Sequence, residues 1–286
     1  MQYLKLKVDL HLHNSEDISE SLKKNKGMPS PKEFIDMAIQ QGFDAIAFTH
    51  HGLLYHDPET IKYAKKKGLI LIPGIEAFID RKHVLLINYI KKKHILNFET
   101  LRQEKSTDML VIAPHPYYKT RVCLEDQLER NLDCFDAIEY CHFYTRLINP
   151  NRKAIRLAQK ASLPLIGNSD AHFARQFGRT YSYVYARERS IPSIVEAVKA
   201  GRVEYVSQPL SLGSLLYISA CFLWKLPYLT ELLMRKIAFR YNLNPSLIKY
   251  RIKRWRSKPS FNFPISKGEK SLPEQTIFGK EDMVTT

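Results

Sequence analysis

Cysteine is scarce in this chain, and Cys123, Cys134, Cys141 and Cys221 include no CxxC pair. Such usage supports no disulfide framework and fits a reducing cytoplasm. The opening Met1-Gln-Tyr-Leu-Lys-Leu-Lys lacks the apolar core of a signal peptide, so export is not expected. A bilayer-spanning helix needs about 20 apolar residues. The candidate stretch, 210–224, offers fifteen residues without a charge and is followed by Lys225 and Glu231. It is read as a helix packed on the main domain, or lying in a membrane interface with its basic flank on headgroups. No convincing side-chain nucleophile stands out. Ser169, beside Asp170, is read as a packing or capping residue.

With 44% hydrophobic and 26% charged residues, the chain is not wholesale disordered, and 286 residues suffice for one barrel-sized domain plus an appendage. Its formal net charge is +15. The excess is uneven: residues 1–207 hold 31 Lys and Arg against 24 Asp and Glu, whereas 208–286 hold 13 against 5. Ten basic residues and a single acid, Glu231, lie between Lys225 and Lys258. Such a segment attracts phosphorylated substrates, nucleic acid or anionic lipid, and composition does not choose among them.

Up to about residue 206, strand-like and helix-like stretches alternate. Leu4, Leu6, Val8 and Leu10 alternate with polar residues and predict a first strand. Ser30-Pro31-Lys32-Glu33 is a capping box with proline at the first helical position, and Gly42 supplies the stop. Further strands are predicted at 45–48, 69–72, 84–89, 110–113, 137–140, 165–166, 181–185 and 203–206. Helices are predicted at 58–68, 98–105, 124–131, 152–162 (capped by Asn149 or Asn151) and 191–200. Repeated βα units imply a parallel sheet, and about seven of them imply a closed α/β barrel, with an open doubly wound sheet as the fallback. Residues 1–208 are read as this barrel, 209–258 as an apolar and basic helical extension, and 259–286 as a flexible tail.

Five clusters of histidine and acid stand at or just after strand-like runs: His11-Leu-His13, His50-His51, Glu76 with His83, His115, and Asp170-Ala-His172. In a strand, residues i and i+2 share a face, so the imidazoles of His11 and His13 converge. Convergent imidazoles and carboxylates without cysteine suit Zn²⁺, Mn²⁺ or Fe²⁺. Recurrence at five separate elements points to a multi-metal site. His56, His94 and His142 are read as ordinary histidines in a loop, a lysine run and a segment after a strand.

The ordered set resembles the polymerase-and-histidinol-phosphatase (PHP) family of metal-dependent phosphoesterases. Asp9-Leu-His11-Leu-His13 is similar to the family's opening DLHxH, and Phe48-Thr49-His50-His51 to its TDH motif. Gly74-Ile75-Glu76, Ala113-Pro114-His115-Pro116 and Gly167-Asn168-Ser169-Asp170-Ala171-His172 resemble the later motifs. The resemblance covers residues 4 to about 206 and implies a distorted seven-stranded α/β barrel holding two or three divalent metals. It implies that His11, His13, Glu76 and Asp170 hold one metal, and that Glu76, His83 and His115 hold a second. His51 and His172 would hold a third with an early acid. This chain departs from the family in having His50 where an aspartate is usual. The early acid must come from Ser15-Glu16-Asp17, with Asp17 the first choice and Glu16 close behind.

The implied activity is phosphate-ester hydrolysis by a metal-activated hydroxide, on a small phosphorylated metabolite or a nucleotide. Arg175 and Arg179 are candidates to grip the phosphate. Alternatives are a nuclease or nucleic-acid-processing phosphodiesterase using the basic C-terminal segment, a non-catalytic metal-stabilised binding module, and metal-dependent amide hydrolysis. The same segment makes nucleic acid and a membrane surface candidate partners, so the expected location is cytoplasmic with possible membrane association.

Overall fold

A computed structural model describes residues 2–17, 28–91, 95–211, 213 and 276–278. These belong almost wholly to one compact unit, Met1–Pro209 with Gln275–Thr286. The helical extension expected over 209–258 lies almost entirely outside the described residues, as does most of the tail expected over 259–286.

Strand β1 (Leu4–Leu12) extends through the first histidine, two residues beyond the apolar alternation that predicts it. Helix α1 (Pro31–Gln40) starts at the Ser30 capping box, where Ser30 Oγ accepts from the Glu33 amide and Glu33 Oε2 accepts from the Ser30 amide. Its buried face is Phe34, Ile35 and Ala38. β2 (Ala45–Phe48) and α2 (Pro58–Lys66, capped by Asp57) follow the predicted pattern. β3 (Ile70–Ile79) does not: it continues through Pro73-Gly74 and turns directly into β4 (Lys82–Ile87). Asp80 and Arg81, with φ of 47° and 63°, form the two-residue turn of this hairpin. α3 (Phe98–Glu104), β5 (Leu110–Ala113), α4 (Asp126–Arg130), β6 (Ala137–Cys141), α5 (Asn151–Ala161) and β7 (Leu165–Asn168) complete the βα series. β8 (Thr180–Ala186), α6 (Ile191–Lys199) and β9 (Val203–Ser207) close the unit, and β10 (Thr276–Phe278) pairs antiparallel with β9. That last strand lies within the segment expected as a tail over 259–286.

All ten strands form one sheet in the order β10-β9-β8-β1-β2-β3-β4-β5-β6-β7. β1, β2 and β3 are parallel, as are β5, β6 and β7, while β4 is antiparallel to both its neighbours. The sheet curls into a nearly closed, distorted barrel, with more strands than the seven expected. β7 returns against β8 and β9, where Ser182 Oγ accepts from the Gly167 amide at 2.8 Å and donates to its carbonyl at 3.1 Å. Gly167 permits this approach, because a Cβ there would lie 2.8 Å from Tyr205 Cβ and 2.9 Å from the Tyr181 carbonyl.

One core cluster joins Leu6, Val8, Leu10, Ala45, Ala47 and Ile72 to Ile194, Val195 and Val198 of α6. Two others pack α1 and α2, and α3 to α5, against the sheet. Among the described residues, no helix is long and apolar enough to cross a membrane.

Candidate metal centre

Because β1, β2, β3, β5, β6 and β7 run the same way, their C-terminal ends lie on one face. Antiparallel β4 brings its first residues to that face too. His11 Nε2 and His13 Nε2 meet there at 3.1 Å. Asp170 Oδ1 lies 3.3 Å from the first and 3.4 Å from the second. Glu76 presents its two oxygens to different histidines. Oε2 is 3.1 Å from His51 Nε2, 3.4 Å from His13 Nε2 and 3.7 Å from His11 Nε2. Oε1 is 2.5 Å from His83 Nδ1 and 3.1 Å from His115 Nε2.

Most of these separations match neighbouring ligands on a shared cation, since metal–ligand bonds of ~2.0–2.2 Å give edges of roughly 3.0–3.5 Å. The 2.5 Å between Glu76 Oε1 and His83 Nδ1 is shorter than such an edge, and the 3.7 Å between Glu76 Oε2 and His11 Nε2 is longer. Four triads have ligand atoms mutually within 4.8 Å: His11-His13-Glu76, His11-His115-Asp170, His51-Glu76-His83 and His13-His51-His172. Two further observations favour cations over hydrogen bonds. Glu76 Oε2 and His83 Nδ1 are buried without a hydrogen-bond partner among the described residues. The facing Nε2 atoms of His11 and His13 could share only one proton between two lone pairs.

The electrostatics agree. Burial alone would raise the Glu76 carboxyl, but His83, His51 and His11 hold it well below its ordinary range. Asp170 is likewise held low against burial by His11, His13, His172 and His115. Burial lowers His13, yet Asp17 and Asp170 overcome it and raise its pKa to about 9. His11 and His115 are also raised against burial, by surrounding carboxylates and, at His115, by Cys123. Without a cation the site thus stores protons that a metal must displace. Two candidate ligand positions also carry unfavourable backbone geometry, with φ of 28° at His115 and 46° at Asp170.

Asp17, the early acid expected as a third-metal ligand, lies directly against two of the candidate histidines. Its Oδ2 accepts from His13 Nδ1 at 2.8 Å, His51 Nδ1 at 2.9 Å and the His51 amide at 3.1 Å. It therefore stands behind two histidines, fixing the tautomer that leaves Nε2 free for a cation. Glu16 accepts from the Tyr55 hydroxyl at 3.4 Å. His50 packs edge-on against Tyr55 with neither ring nitrogen hydrogen-bonded among the described residues, and burial lowers its pKa to about 3. Arg175 is exposed, and Arg179 Nε donates to the Arg175 carbonyl at 2.9 Å.

Sequence reasoning missed the supports on the other side. Glu139, fully buried in β6, accepts from His11 Nδ1 at 2.8 Å, Asn168 Nδ2 at 3.0 Å and the His115 amide at 2.8 Å. An acid inside the apolar strand Ala-Ile-Glu-Tyr-Cys was the available signal. Cys123 Sγ lies 3.5 Å from His115 Nδ1. His142, read as an ordinary histidine, is 1% exposed and contacts Gln176, whose Oε1 accepts from the His172 and Phe173 amides.

A family profile described as PHP domain matches residues 9–175, and another described as PHP-associated matches 149–203. An uncharacterized protein of Methanocaldococcus jannaschii is 29% identical over 166 residues, 54% of this chain and 96% of that protein. The PolC-type DNA polymerase III of Streptococcus pneumoniae is 33% identical over 81 residues, 28% of this chain but 5% of the polymerase. A two-domain protein from Bacteroides vulgatus, described as containing a predicted PHP-like metal-dependent phosphoesterase, has a similar structure. Its TM-score is 0.55 at 24% identity, over 72% of this chain and 66% of that one. That likeness is one of fold.

Proposed function

The chain belongs to the PHP domain family, and from that premise we propose that it is a metal-dependent phosphoesterase acting on a small phosphorylated metabolite or nucleotide. The observation that carries this reading is Glu76, whose two oxygens face separate sets of histidines. His11, His13 and Asp170 would hold one divalent cation (Zn²⁺, Mn²⁺ or Fe²⁺), and His83 and His115 a second, with Glu76 between them. His51 and His172 would contribute to a third. When bound, such cations lower the pKa of a water and neutralise charge on the phosphoryl oxygens.

The chain's own contribution is orientation and charge. Glu139 accepts the Nδ1 proton of His11, and Asp17 those of His13 and His51, so all three imidazoles present Nε2 to the centre. The inward set of carboxylates and neutral imidazoles would hold cations in place. No side chain is needed as nucleophile: Ser169 is fully buried and its amide donates to Asp9. Arg175, on the loop after His172 and exposed, is the candidate contact for the phosphate, supported by Arg179.

A nucleic-acid substrate is the second reading, favoured by the likeness to part of a DNA polymerase and by the basic segment between Lys225 and Lys258. The test is to load the full chain with Mn²⁺ or Zn²⁺ and screen phosphomonoesters, phosphodiesters and short oligonucleotides. Release of phosphate from monoesters supports the first reading. Cleavage of oligonucleotides alone supports the second, and metal loading without turnover of any ester overturns both.

A further inference from the structure

Exposing a large aromatic ring to water is unfavourable, and this fold does so at the edge of the metal centre. Phe78 is 43% exposed. It lies two residues after Glu76 on β3, hence on the same face of the strand, and pairs across the hairpin with His83. Its ring meets the His83 ring edge-to-face at 4.8 Å and lies nearly parallel to His51, 28° between planes and 6.5 Å between centroids. The neighbouring position on the β2 side is Gly52, with φ of 66°; a Cβ there would touch the ring at 3.5 Å. Glycine thus places no side chain over that flank of the aromatic.

Resting on the phosphoesterase reading, we propose that Phe78 is the platform on which the alcohol portion of the substrate stacks. The substrate is then a phosphate ester carrying a planar aromatic or heterocyclic ring, a nucleotide being the simplest. The phosphoryl group would meet the cations that Glu76 and His83 would hold, and the ring, two residues further along β3, would meet Phe78. Stacking of a base on an aromatic side chain is worth about tenfold in affinity or more. A ring-free ester of the same sugar gains nothing from it.

The test uses the full chain loaded with Mn²⁺, titrated calorimetrically with adenosine 5′-monophosphate and with ribose 5-phosphate, which differ by the base alone. The expected result is roughly tenfold tighter binding of the nucleotide, a ratio retained in Phe78→Trp and lost in Phe78→Leu. Metal content is measured for each variant. Equal affinity of the two ligands in the native protein overturns the proposal. So does a Phe78→Leu variant that loses metal and both ligands alike, which would make the ring a cover for His83. Phosphate release is followed separately. Base-dependent binding without hydrolysis of any ester would leave Phe78 as the platform and remove the phosphoesterase reading. Hydrolysis with no preference for the base would do the reverse.

Discussion

Replacing Glu139 by glutamine probes the centre from behind without touching a proposed ligand. Oε1 accepts from His11 Nδ1 and Asn168 Nδ2, and Oε2 from the His115 amide. An amide keeps the shape but turns one acceptor into a donor. If the new NH₂ faces the His115 amide, two donors oppose each other and a buried N–H loses its partner, at about 1–3 kcal/mol. If it faces His11, the imidazole must shift its remaining proton to Nε2, the atom that points at His13 and Asp170. Either outcome weakens the centre. Loss of such a support costs 10–100-fold in metal affinity, or about 1.4–2.7 kcal/mol. Competition against a chromophoric chelator measures the affinity, and denaturation of the metal-free protein measures the fold separately. A Glu139→Gln protein that stays folded and binds metal within about threefold of the native affinity would refute this role.

Metal binding at pH 7 should release protons. His13, raised to about 9 from 6.5, is protonated without a cation and must be neutral with one. Calorimetry in two buffers of different ionisation enthalpy should detect at least one proton per chain, and none would contradict the electrostatics. By the same linkage, His13 stabilises the metal-free fold fully below pH 6.5, and that contribution is lost as pH rises through about 9. Gly167→Ala should destabilise the barrel by about 1–3 kcal/mol through overpacking against Tyr205 and the Tyr181 carbonyl, read from chemical denaturation; an unchanged midpoint would show that β7 can draw back freely. Deleting residues from Pro209 onward, which also removes β10 from the sheet edge, should spare hydrolysis of a small ester while weakening binding to anionic vesicles, since each basic group near such a surface contributes about 1 kcal/mol. A folded, metal-loaded truncation without turnover would place the C-terminal segment in the active site.

Local sequence chemistry carried much of this protein. The alternation Leu4-Leu6-Val8-Leu10 announced β1, and a period of two then placed His11 and His13 together. The Ser30 capping box marked α1 to the residue. What failed did so for tertiary reasons. Pro73-Gly74 reads as the end of a strand, yet Pro73 lies within β3, in register with Phe48 of β2. The hairpin turn Asp80-Arg81 lacks the glycine or asparagine that usually marks positive φ. Asp17 could be recognised as an acid near the site, but only the fold shows that it meets Nδ1 of His13 and His51. Cys123, His142 and Gln176 carry no periodic signal, because each acts through one long-range contact.

The metal content of native and Glu76→Gln protein, both purified without chelators, bears most directly on the Glu76-centred reading. Two or more transition-metal ions per chain are expected in the native protein, and at most one in the variant, whose amide lacks the charge to sit between two cations. Turnover should fall with the second ion. Fewer than one ion in the native chain would contradict this account. So would a Glu76→Gln protein that keeps two ions and more than a tenth of the activity, a barrier change under about 1.4 kcal/mol.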